Sequence, residues 1–95
     1  MALNLQHQTK EDFAARFWAR LMEVYQSGNK LEFARRIWWL AQRISDGDFT
    51  TNQVRLSFNA AYGRSLNPAE WTTLVTTRFI PIRDRYQAIL DEADL

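Results

Sequence analysis

Apolar residues recur along this chain at helical spacing. At about 100° per residue, Phe13, Phe17, Trp18, Leu21, Met22, Val24 and Tyr25 fall on one broad half of a helix, and Arg16, Arg20 and Glu23 on the other. The next segment repeats the arrangement. Phe33, Ala34, Ile37, Leu40, Ala41 and Ile44 form a stripe, with Glu32, Arg35, Arg36 and Arg43 opposite. A shorter third segment turns Val54, Phe58 and Ala61 inward, with Tyr62 beside them. A fourth begins at Pro68 and is interrupted by Pro81. An internal proline removes one helix bond, crowds the preceding turn and pushes the residue before it, here Ile80, toward extended backbone. The pattern therefore predicts two pieces, 68–79 and 82–93, with a break or sharp kink between them. Ile82, Tyr86, Ile89 and Leu90 are the apolar positions of the second piece.

Punctuation supports these elements. A helix start leaves backbone N–H groups unpaired; an N-cap oxygen accepts from one, and a Glu or Gln three residues on reaches back to the cap's own N–H. Thr9 with Asp12, Asn29 with Glu32, Thr50 with Gln53 and Asn67 with Glu70 all have this spacing, and Pro68 occupies the first helical position after Asn67. Phe49 and Leu66 precede two of the caps and are placed to staple onto Val54 and Trp71. Gly28, Gly47 and Gly63 each follow a periodic segment and supply helix stops. The run 71–77 is rich in β-branched residues and has strand-like propensity, but the strong cap before it favours helix. The expected fold is all-α: a small single-domain bundle of four helices, the last broken or kinked at Pro81, with the first two joined as an antiparallel hairpin through 27–29.

Composition narrows the function. The 95 residues suit one domain: residues 1–8 read as an N-terminal arm, on which Leu3 and Leu5 can dock, and 9–95 as the bundle with an acidic C-terminal end. Cysteine is absent, which excludes disulfides, thiolate catalysis and cysteine-rich zinc sites. The single histidine, His7, lies in the arm, a poor place to preorganise a general base. No apolar run approaches the ~20 residues of a membrane span. The first ten residues lack the basic start and apolar stretch of a signal peptide, so the expected compartment is the cytoplasm.

Candidate acid pairs, Glu11/Asp12, Asp46/Asp48 and Asp91/Glu92/Asp94, sit in a first helical turn, an interhelix turn and a solvated tail. None reads as a buried acid–base site, and no catalysis, cofactor or metal is expected. The sequence Asp46-Gly47-Asp48 places oxygens at the first positions of a calcium loop, but Thr51 and Ser57 stand where that loop needs glycine and a bidentate glutamate. An ordinary glycine-terminated turn explains it better.

Two binding readings remain. Of the twelve basic residues only Lys10 and Lys30 are lysine, and there are four tryptophans. Arg, Trp and Tyr concentrate at protein interfaces, although arginine is also a good helix former and aromatics fill small cores. Trp39 falls between Glu32 and Arg43 on the charged side of its helix. The favoured expectation is a non-catalytic module, an adaptor, partner-blocking regulator or assembly subunit, that binds another protein or itself through Trp39, Arg35, Arg36 and Arg43. The alternative is a small nucleic-acid-binding regulator, a helix-turn-helix whose third helix offers Asn52, Gln53, Arg55 and Asn59 to base edges, with Arg64, Arg83 and Arg85 on phosphates. Against it stand a net charge of +1 and two acids in the connection 45–49. Arg78 falls within the apolar stripe of the fourth helix, and is expected to pair across the bundle, stack on an aromatic face, snorkel to water or enter an interface.

Overall fold

Four helical segments, with no strand among the described residues, build the protein in the computed structural model, which describes residues 10–93 (side chains from Asp12). The arm 1–8, its Leu3, Leu5 and His7, the Thr9 cap, the Glu11 side chain and Asp94 lie outside what the structure describes. The elements are α1 (Lys10–Ser27), α2 (Lys30–Ser45), α3 (Thr51–Tyr62), and a last helix made of α4 (Pro68–Leu74), a π-helical turn (Val75–Phe79) and α5 (Ile80–Ala93). The last helix is kinked at the proline rather than broken into separate pieces.

The three caps that fall on described residues, at Asn29, Thr50 and Asn67, form as the spacing predicts, with one departure. Thr50 with Gln53 and Asn67 with Glu70 each close a reciprocal capping box. Asn29 accepts from the Glu32 N–H at 3.0 Å, but the return bond is not made. The Asn29 N–H donates to Ser27 Oγ at 3.4 Å, and the Glu32 carboxylate turns to Arg35 and Arg36. Gly63 ends α3 in the left-handed region at φ 62°, where a side chain would be strained. The loop after it is tied back to α3: Arg55 Nη1 and Asn59 Nδ2 both donate to the Leu66 carbonyl at 3.0 Å, and the Leu66 N–H donates to Asn59 Oδ1 at 3.1 Å.

The core centres on Trp18, 1% exposed. Its ring lies edge-on to Phe17, Phe58 and Tyr62, with centroids 5.1, 5.3 and 5.7 Å away, and Phe79 lies at 6.4 Å. Its indole N–H donates to Ser57 Oγ at 2.8 Å, so the polar edge is satisfied within the core. Leu21, Ile37, Leu40, Val54, Phe58 and Trp71 complete the buried cluster; Phe49 and Leu66, the two residues placed to staple, pack against it half-buried. Ala61, expected inward, is exposed.

The packing partners differ from a simple hairpin. α1 and α2 touch, but α1 packs most extensively on α3, and α2 on α5. Trp38 fixes the second pairing: its indole N–H donates to Gln87 Oε1 at 2.7 Å and its ring meets Tyr86 at 5.7 Å.

The π turn explains the fate of Arg78. The Ile80 N–H bonds to the Val75 carbonyl, five residues back. That wider turn takes up one residue more than an α-helix needs. Pro81 follows directly as the second residue of α5, at the kink. Thr72, Thr73 and Thr77 hydroxyls donate to carbonyls four residues back, a pattern that bends helices. The extra residue rotates the apolar stripe. Phe79 takes the inward position, and Arg78, expected in that stripe, is exposed to water instead.

Candidate functional site

The arginine-bearing faces of α1 and α2 meet in a cleft of about 400 Å³ lined by Phe13, Arg16, Phe17, Arg20, Arg35, Arg36 and Trp39. α1 supplies Arg16 and Arg20, one helical turn apart; α2 supplies Arg35 and Arg36. Trp39 forms the floor. Its ring stacks on Phe17 at 5.8 Å and tilts against Phe13 at 5.7 Å. Trp39 is thus not a freestanding exposed anchor: α1 covers one face and leaves it half-buried. Arg43 lies over the indole at 5.6 Å, a cation–π contact that helps hold the ring in place. Phe13 remains 37% exposed and gives the cleft an apolar edge.

One carboxylate serves two of the four arginines. Arg35 Nε donates to Glu32 Oε1 at 2.9 Å, its Nη2 also contacts that oxygen, and Arg36 Nε lies 3.2 Å from it. The hydrogen bond from Arg35 holds the Glu32 carboxyl below its usual range, and Glu32 in turn raises Arg35. Arg36 Nε is buried and stands at ion-pair distance without an aligned hydrogen bond. Arg20 pairs with Glu23 at 3.4 Å on the open side. Arg43 is turned away from the cleft, paired with Asp46 at 2.8 Å and close to Asp48 at 3.7 Å. Both acids of the 45–49 turn thus face the Arg43 guanidinium. Among the described residues no group of three His, Asp or Glu could hold a metal.

The four α3 residues offered to base edges, and Arg83, already make bonds within the chain. Gln53 closes the α3 capping box, Asn52 Oδ1 accepts from Arg55 Nη2 at 2.7 Å, and Arg55 and Asn59 hold Leu66. Arg83 pairs with the neighbouring Asp84 at 2.8 Å. α2 and α3 are not major packing partners, unlike the two helices of a helix-turn-helix.

Two further concavities are mainly apolar. One of about 340 Å³ lies between α1 and α3, and one of about 440 Å³ lies between α2, α3 and the last helix. Neither is lined by a carboxylate or an imidazole. No helix among the described residues is long and apolar enough to cross a membrane.

Sequence reasoning placed Arg35, Arg36 and Trp39 in the site but left out Phe13, Arg16 and Arg20. A signal existed, because Arg16 and Arg20 flank the Phe13–Phe17 edge at the same four-residue spacing. Which helix that edge faces is a tertiary fact. Compared with protein-family models, with curated proteins and with solved structures, the chain matches none of them.

Proposed function

We propose that this chain is a non-catalytic helical module that binds another protein through the arginine–aromatic cleft between α1 and α2. The observation that carries the reading is the convergence of Arg16, Arg20, Arg35 and Arg36 from two helices around Trp39. Arginine and tryptophan side chains supply a disproportionate share of interface energy. Here both sit on helices whose opposite faces are locked into the core, so little backbone ordering remains to be done on binding.

Site-specific photo-cross-linking tests this. A benzophenone side chain replaces Arg16 in one variant and Ala60, on the exposed side of α3, in another. In cells expressing the full chain, position 16 is expected to give a discrete protein adduct and position 60 none. Equal labelling from both positions, or no adduct from position 16, overturns the reading.

A further inference from the structure

We infer that the occupant of the cleft is an acidic peptide segment carrying an apolar side chain, and that Glu32 holds the place of one of its carboxylates in the free protein. This rests on the docking face proposed above and names the chemistry of its partner. Four guanidiniums line the cleft, and among the described residues Glu32 is the carboxylate that bonds to Arg35 and Arg36. A carboxylate offers about four lone-pair sites, and two guanidiniums present about ten N–H donors, so most of that donor capacity is open to another acceptor. Arg36 Nε is a charged donor, buried and without an aligned partner. That atom faces Glu32 and is closed to solvent, so a second carboxylate entering from the open side meets the half-exposed Arg20 and Arg35 side chains. The planar guanidinium fork matches a carboxylate in two-point fashion, and the exposed edge of Phe13 beside Trp39 receives the apolar side chain.

Glu32 is free for this role because the reciprocal half of its capping box is unmade. Its carboxylate is held by side chains that can rotate rather than by the Asn29 backbone. A nucleic-acid strand is less suited. Phosphate tracking needs an extended cationic face, whereas Glu23, Glu32, Asp46 and Asp48 interrupt the arginines of α1 and α2.

Fluorescence anisotropy on the full chain decides it. The probe is a fluorescein-labelled synthetic peptide repeating Glu-Glu-Leu, set against its Gln-Gln-Leu counterpart and a labelled thymidine strand of the same length. The acidic peptide is expected to bind in preference to both, more weakly as salt rises from ~50 to ~300 mM. Glu32→Gln removes the internal competitor and keeps the backbone cap. It is expected to tighten the acidic peptide about two- to fivefold, as loss of the weak, partly exposed ion pairs to Arg35 and Arg36 implies. Arg36→Gln is expected to weaken it, and supplies the comparison should Glu32→Gln change the helical circular dichroism. Equal binding of the glutamine peptide, preference for the thymidine strand, or no tightening in Glu32→Gln overturns the inference. So does a dimer in light scattering that Arg16→Glu dissociates, which would make a second copy the occupant. If no peptide binds while the position-16 adduct persists, the peptide chemistry fails and the docking face stands.

Discussion

Tyr62 ties a titratable group to the centre of the core. Its hydroxyl donates to the Trp18 carbonyl at 2.7 Å and its ring lies edge-on to Phe58 at 4.9 Å. Burial pushes the phenol from 10.0 up to about 12. The folded value lies above the unfolded one, so its contribution is complete below pH 10 and is lost as pH climbs toward 12. Urea midpoints should fall across that window. Tyr62→Phe should flatten that part of the fall and cost about 1 kcal/mol at neutral pH for the lost hydrogen bond. A decline identical in the variant would show that other groups drive it. Arg78 marks where single-residue reading stopped. Strict 3.6-residue periodicity puts it inward, and one extra residue in the turn before Pro81 sends it to water. Trp39 departed for a different reason: its own helix leaves it on the charged side, and only α1 crossing over it supplies Phe13 and Phe17.

Elements were legible where their signals are local. Caps at Asn29, Thr50 and Asn67 and the stop at Gly63 act within a few residues, and each forms where the sequence puts it. The pairing of elements was not legible, because apolar stripes state that a face is buried without stating against what. Side-chain ties now identify those joints. Asn59 is the strongest, holding both the N–H and the carbonyl of Leu66 and so setting where α4 begins relative to α3. Asn59→Ala leaves those backbone groups without these partners and should cost about 1–3 kcal/mol in urea denaturation, with an unchanged slope. A loss below a few tenths of a kcal/mol would mean that Arg55 alone holds the loop.

At the scale of the whole molecule, apolar packing outweighs charge. The ion pairs formed among the described residues lie on one helix or one turn and are at least partly exposed, so each contributes little and is screened by salt. A domain of this size has about 5–14 kcal/mol of stability in total. Trp18→Ala should remove about 3–5 kcal/mol of it, whereas adding ~0.5 M salt should shift the thermal midpoint by only a few degrees. A large salt effect with a tolerated Trp18→Ala would reverse that ranking. Surface arginines that contribute little to folding can be replaced without loss of the fold. The π turn bears on a different question, that of descent. It decouples the length of the last helix from its phase, because one residue there rotates everything after it while Trp71 and its neighbours keep their places. A relative missing a single residue between 75 and 79 would keep the α4 half and present another side of α5 to Trp38, so a gap at that point would mark an altered docking of helices rather than a trimmed loop.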